Sequence, residues 1–265
     1  MNRIDKKFSD LRKNGRKALI AFFTAGDFGL TATKKFVIEF EQRGVDIIEL
    51  GVPFSDPVAD GPTIQSSSER SLKRGTRLKD IISLVGQLRK KTQIPIVLMG
   101  YYNPILKYGP ARFISDCVKN GVDGAIIPDL PPEESGELTA AAKGRNFDII
   151  FFLSPTSSLK RIKMVSGMTR GFIYYVSLTG ITGARSSLPA GFAARVKLIK
   201  KTSDKPVCVG FGVSMPEQAK RISAVADGVI VGSAIVKQME KNSSNKKFVK
   251  NVGNYVHKLA EATHQ

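Results

Sequence analysis

Three carboxylates in one short stretch, Glu49, Asp56 and Asp60, concentrate this sequence's means for acid–base chemistry. They fall within Glu-Leu-Gly-Val-Pro-Phe-Ser-Asp-Pro-Val-Ala-Asp-Gly-Pro-Thr-Ile-Gln, residues 49–65. The preceding Val45-Asp46-Ile47-Ile48 is a short apolar run that predicts a buried strand, with Glu49 at its C-terminal end. Gly51, Pro53, Asp56-Pro57 and Asp60-Gly61-Pro62 then predict a loop. Pro62 suits the first turn of a following helix. An Asp in such a loop commonly serves only the turn. A Glu inside an apolar run is seldom buried without a partner or a task, so Glu49 is harder to assign to structure alone.

Other chemistries find little material. The only histidines, His257 and His264, lie in the last nine residues, and the only cysteines are Cys117 and Cys208. A structural zinc site is therefore not expected. Both cysteines sit in apolar settings and read as buried free thiols. No apolar run reaches membrane-spanning length. No apolar signal core follows the charged N-terminus, which leaves the cytoplasm as the expected compartment. The formal charge is +18, from 41 Lys and Arg against 23 Asp and Glu. Such a charge suits an anionic partner in principle. Its cations are dispersed, however, in pairs such as Arg12-Lys13, Lys90-Lys91 and Lys200-Lys201, without interleaved aromatics. They read as a solvated surface, not a specific nucleic-acid site.

The elements that must position Glu49 alternate along the chain. Strands are predicted at 18–23, 45–48, 95–99, 124–127, 148–153, 172–177, 207–210 and 228–231. Helices are predicted at 5–14, 33–43, 78–91, 110–120, 132–145, 157–166, within 189–201, at 214–224 and through the remainder. Gly44 and Gly121 close two of them. Ser214 and Glu217 read as a capping box for a third. The strands are apolar without alternation, which predicts parallel strands covered on both faces. About eight such strand–helix units in this length form an α/β chain of one domain, residues 1–265. They predict a parallel eight-stranded (β/α)8 TIM barrel with an extra N-terminal helix. An open doubly wound sheet is the alternative, and no Gly-x-Gly-x-x-Gly follows the first strand to favour it.

A barrel places its active site at the C-terminal strand ends, often with a phosphate site after the last two strands. Here those ends are Gly210-Phe211-Gly212-Val213-Ser214 and Val231-Gly232-Ser233-Ala234-Ile235. The glycines admit an anion to backbone N–H groups, and Ser233 opens a helix whose N-terminus faces the same way. The small, hinge-rich run 178–187 suits a lid. Phe22, Met99, Ile126 and Tyr174, near other strand ends, could wall an apolar slot beside the acids.

Residues 53–57 (Pro-Phe-Ser-Asp-Pro) and 59–65 (Ala-Asp-Gly-Pro-Thr-Ile-Gln) resemble the signature loop of the tryptophan synthase alpha chain family. Thr24-Ala25-Gly26-Asp27, Gly100-Tyr101-Tyr102-Asn103-Pro104, Gly180-Ile181-Thr182-Gly183 and Gly210-Phe211-Gly212 match the same family in the same order. The resemblance implies retro-aldol cleavage of indole-3-glycerol phosphate into indole and glyceraldehyde 3-phosphate, with no cofactor in this chain. It further implies a β-chain partner that carries pyridoxal phosphate, in an α2β2 heterotetramer. Glu49 matches the family's general acid/base. Asp60 matches the carboxylate that holds the indole N–H and stabilises the protonated ring. Thr182 matches the lid residue that positions Asp60. Gly183, Gly212, Gly232 and Ser233 match phosphate-binding positions. Phe22, Met99, Ile126, Tyr174 and Phe211 match the indole slot, and Asp56 and Asn103 match positions facing the β chain. An apolar surround for Glu49 and a polar loop for Asp60 would keep the first protonated and the second ionised. Phe28, Ser67, Ser71 and Met99 depart from residues usual in the family. A second function stays open: a phosphate-ligand-binding subunit that mainly activates its β partner.

Overall fold

The computed structural model describes residues 2–176, 191–210 and 212–265. The strands are β1 (Ala18–Thr24), β2 (Ile47–Gly51), β3 (Ile96–Met99), β4 (Gly124–Ile126), β5 (Asp148–Ile150), β6 (Phe152–Leu153), β7 (Ile173–Val176), β8 (Val207–Gly210) and β9 (Gly228–Val231). All pair in parallel, in the order β5-β4-β3-β2-β1-β9-β8-β7-β6. The two ends of that order, β5 and β6, are separated in the chain by Phe151 alone. The sheet therefore closes through its own backbone, and the expected 148–153 strand is one barrel stave interrupted at Phe151. Tyr174 N donates to Phe151 O (3.1 Å), so the interruption itself is bonded to β7. The fold is the eight-stave (β/α)8 barrel.

The helices are α1 (Arg3–Lys13), α2 (Leu30–Gln42), α3 (Pro62–Lys73), α4 (Leu78–Leu88), α5 (Tyr102–Tyr108), α6 (Pro110–Asn120) and α7 (Gly136–Ala142). They continue with α8 (Leu159–Met168), α9 (Phe192–Thr202), α10 (Pro216–Ser223), α11 (Ser233–Asn242) and α12 (Phe248–His264). Helix α6 runs from Pro110 at its first turn to Gly121, whose φ of 76° is the left-handed stop that only glycine adopts without strain. The single helix expected over 132–145 is instead a 3-10 turn, Pro132–Glu134, followed by α7. Gly136, a poor helix former, breaks the run at its start, and Gly144, with φ 75°, stops it after α7. The capping reading at Ser214 is corrected by one residue. Met215 is the N-cap of α10, and Gln218 rather than Glu217 accepts from the N–H groups of Ser214 (2.8 Å) and Met215 (3.0 Å). Pro216, which takes the first helical position, sets that register. Helix α5 was hidden by the Gly-Tyr-Tyr-Asn-Pro run and is an addition to the sequence reading.

The strands bury residues on both faces. Leu19, Phe23, Leu50, Leu98 and Val209 point outward into the layer of helices. Ile20, Ile47, Val97, Ile126, Ile150 and Ile230 fill the barrel. Helix α1 closes the N-terminal end. The Asn2 side chain accepts from Ile4 N (2.7 Å), and Ile4, Phe8 and Leu11 turn into the same interior cluster. The Phe8 and Phe172 rings meet at 5.9 Å. The opposite end is left for the loops that follow the strands. Among the described residues, no helix is long and apolar enough to cross a membrane.

Candidate active site

Glu49 lies in the middle of β2, not at its end, because the strand continues through Gly51. Its register partners are Phe22 on β1 and Val97 on β3. Paired residues of parallel strands share a face, so Glu49 projects into the barrel with Phe22 and Val97. It is fully buried, and among the described residues neither carboxylate oxygen has a hydrogen-bond partner. Burial, and then the charge of Asp60, push its pKa up to about 8. At neutral pH it therefore holds a proton.

Asp60 reaches the same interior from the loop after β2. That loop is internally braced: Asp60 N donates to Pro57 O (2.9 Å), and Gln65 Nε2 to Asp60 O (2.8 Å). The carboxylate is half-buried, and burial raises its pKa to about 6 against the opposing hydrogen bond from Tyr101. Asp60 is thus less wet than a polar loop implies, yet it is mostly ionised at pH 7. Tyr101, which the sequence reading used only as part of a motif, is the residue that holds it. Its hydroxyl donates to Asp60 Oδ2 (3.1 Å) and accepts from Ala59 N (2.9 Å), and its ring packs on Phe54 at 5.3 Å. Its position just past the end of β3 was the available signal.

The slot beside the acids is built by side chains against glycines. Phe22 fits between Gly51 and Gly232; a Cβ at either would come within 2.8 Å or 3.0 Å of its ring. Met99 and Ile126 follow Gly51 across β3 and β4 in one register row. The Tyr174 ring lies 4.7 Å from that of Phe152 and closes over Gly210. The phenol of Tyr174 is held well above its usual range by burial, then by the charges of Glu49 and Asp60. Phe22, Met99, Ile126 and Tyr174 thus all point into the barrel near the C-terminal strand ends. Phe152 joins them.

The expected phosphate positions fall in part among the described residues. Gly232 is the N-cap of the ten-residue helix α11, and Ser233 is its first residue. Unpaired N–H groups of a first helical turn attract an anion there. Gly212, with φ 29°, has open space where a Cβ would be. Thr182, Gly183 and Phe211, with the expected lid at 178–187, lie outside the described residues. Asp56 is exposed on the loop after β2, and Asn103 is exposed in the first turn of α5, just after β3.

The unusual residues have structural tasks. Ser67 Oγ pairs with Thr24 Oγ1 (2.5 Å), and Ser71 Oγ donates to Ala25 O (2.6 Å), which ties α3 to the end of β1. Phe28 meets Phe248 edge to face at 5.1 Å beneath the Arg70 guanidinium, and Arg70 holds both oxygens of Asp27 (2.6 and 3.0 Å).

The family model described as tryptophan synthase alpha chain matches residues 8–264. The tryptophan synthase alpha chain of Geotalea daltonii is 54% identical over 250 residues, 94% of this chain and 95% of that one. That of Geobacter sulfurreducens is 51% identical over 262 residues, 99% of each. Among solved structures, tryptophan synthase subunit alpha from Legionella pneumophila superposes with a TM-score of 0.92 at 35% identity, covering 99% of this chain and 98% of that one. A chain of Mycobacterium tuberculosis tryptophan synthase gives 0.91 at 36% identity, covering 100% and 99%.

Proposed function

This chain belongs to the tryptophan synthase alpha chain family, and from that membership we propose how its barrel mouth works. The family's reaction is the lyase cleavage of indole-3-glycerol phosphate, a step of tryptophan biosynthesis. In our reading Glu49 is the general acid and base. The buried, unpaired Glu49 carboxylate facing Asp60 carries this assignment.

Cleavage of the carbon–carbon bond needs an electron sink. Glu49 transfers its proton to the ring carbon that bears the side chain, and the ring becomes an indoleninium cation. Asp60, ionised, accepts the indole N–H and stabilises that cation. Glu49, now a carboxylate, takes the proton of the adjacent glycerol hydroxyl. The oxygen's electrons become the aldehyde of glyceraldehyde 3-phosphate, and the bonding pair restores the indole ring. Phe22, Met99, Ile126, Tyr174 and Phe211 hold the ring, and Thr182 orients Asp60. Gly183, Gly212, Gly232 and Ser233 hold the phosphate, supported by the α11 N-terminus.

The family implies a β chain, and we assign pyridoxal phosphate to that partner, in an α2β2 assembly in the cytoplasm. We read residues 1–265 as one domain. Asp56 and Asn103 face the partner in this reading. Val58 (84% exposed) beside Asp56 and Leu106 (52% exposed) one turn after Asn103 offer apolar anchors on the same surface.

The deciding experiment is indole release by the purified chain, with and without a β chain, alongside Glu49→Gln. Release that rises with β and disappears in the variant supports the assignment; release undiminished in Glu49→Gln overturns it. The profile of kcat/KM against pH should be bell-shaped. It falls below about 6 as Asp60 protonates and above about 8 as Glu49 loses its proton. The two limbs report the pair, since the acids interact.

A further inference from the structure

Aspartates mark the N-terminal end of the barrel, opposite the mouth. Asp46, Asp123 and Asp227 each stand just before a strand and are satisfied in the same way. Their carboxylates accept a backbone N–H from the neighbouring strand, of Leu19 (2.9 Å), Ile96 (2.8 Å) and Val207 (3.0 Å) respectively. Each also pairs with basic side chains: Asp46 with Lys7 and His264, Asp123 with Arg3 and Arg89, Asp227 with Lys17 and Lys200.

Asp148, the first residue of β5, holds the fourth such position and is the exception. Its N–H donates to Asp123 O (2.9 Å), as the others donate to their neighbours. The bond cannot be returned, because Asp123 N is already committed to Ile96 O (2.9 Å). Asp148 is 5% exposed, its Oδ2 has no hydrogen-bond partner, and it makes no ion pair with any described residue. An uncompensated buried carboxylate is costly.

Asp148 lines a cavity of about 400 Å³ together with Asn2, Asp5, Arg145, Arg170 and Lys205. Gly171, with φ 73°, forms part of its wall; a Cβ there would stand 2.9 Å from Asp148 Oδ2. Among the described residues, Asp5, Arg145 and Arg170 make no ion pair either, although opposite charges share the cavity. A lone anion would suit the guanidiniums and meet two carboxylates. A lone cation would suit the carboxylates and meet three basic groups. A ligand carrying both charges satisfies both sets. Among the described residues no apolar side chain lines the cavity, so the ligand's remaining part should be small and polar.

We propose that this cavity binds a free α-amino acid with a small polar side chain. Its ammonium is held by Asp148 and Asp5, and its carboxylate by Arg145 and Arg170, with Lys205 and Asn2 at the sides. Burial first and the charge of Asp5 second raise the Asp148 pKa to about 7; Asp123 adds to this, and Arg170 and Lys205 oppose it. An arriving ammonium draws that proton off, so binding weakens as the pH falls below neutrality.

The test is a titration of the isotope-labelled full chain with L-serine, and separately with acetate and methylamine at matched ionic strength. The amide resonances of Gly144, Asn146 and Gly171 report on the cavity. Saturable shifts are expected with L-serine, with each single-charge probe at least tenfold weaker. Asp148→Asn and Arg170→Gln, with melting temperatures confirming that both fold, should each lose at least tenfold in L-serine affinity and keep indole release. No saturable shift with L-serine would overturn the proposal. Acetate binding as well as L-serine would overturn it in favour of an anion site, and undiminished L-serine binding by the folded variants would overturn it too. Because the cavity lies at the far end from Glu49, failure here would leave the lyase assignment standing, and the reverse.

Discussion

At the scale of residues, the acids are separated by their surroundings and by one hydroxyl. Among the described residues Glu49 has no hydrogen-bond partner, while Asp60 has the Tyr101 hydroxyl. That hydrogen bond lowers the Asp60 pKa, so Tyr101→Phe should raise it. The acid limb of the kcat/KM profile should move to higher pH, with a several-fold loss at pH 6 that narrows at pH 8. A uniform loss at every pH would argue that Tyr101 only packs. Glu49 also ties stability to pH. Its folded pKa of about 8 lies above its ordinary value of 4.5. Its contribution is therefore fully present below pH 4.5 and is lost as the pH rises through 8. Glu49→Gln stays neutral throughout. It should be more stable than the parent chain at pH 9, by of order a few kcal/mol and with a higher melting temperature, and match it near pH 4. Equal melting temperatures at pH 9 would mean that Glu49 is more hydrated than its burial implies.

At the scale of elements, close approach decides the slot. Gly51 ends β2 where the Phe22 ring from β1 passes over it, with a Cβ there only 2.8 Å from Phe22 Cζ and 3.2 Å from the Thr24 backbone. Gly51→Ala should cost ~1–3 kcal/mol through overpacking and raise the KM for substrate by displacing Phe22. Chemical denaturation and steady-state kinetics would measure the two effects, and an unchanged KM would remove Phe22 from the slot. The loop after β2 and helix α5 after β3 carry the surface assigned to the partner. Val58→Asp and Leu106→Asp should weaken stimulation by the β chain without changing the basal release of indole. Full stimulation in both variants would move the interface elsewhere.

At the scale of the molecule, the barrel is closed at one end by α1 and open at the other to the loops. Phe8 is 6% exposed against Phe172, so Phe8→Ala should cost ~3–5 kcal/mol in a thermal or urea melt. Because α1 is at the far end from Glu49, kcat at 25 °C should be unchanged for the folded fraction. A fall in kcat without loss of stability would show that the plug and the mouth are coupled.

The alternation of apolar strands and amphipathic helices, closed by residues such as Gly121 and opened by others such as Pro62 and Pro110, is local chemistry. It was legible in the sequence, and with it the barrel and the apolar surround of Glu49, an acid inside an apolar run. The signature loop made Asp60 legible as well. The interruption at Phe151, the one-residue shift at Pro216 and the helix hidden after Tyr101 were not, because packing and hydrogen-bond register set such boundaries. Tyr101 as the partner of Asp60, the glycines that admit Phe22, and Asp148 left alone among four equivalent aspartates emerged only in three dimensions. Each depends on residues 23 to 210 positions apart meeting across strands of one closed sheet, as Gly232 meets Phe22 and Asp148 meets Gly171. Spacing along the chain carries no record of that distance, whereas closing the barrel decides it.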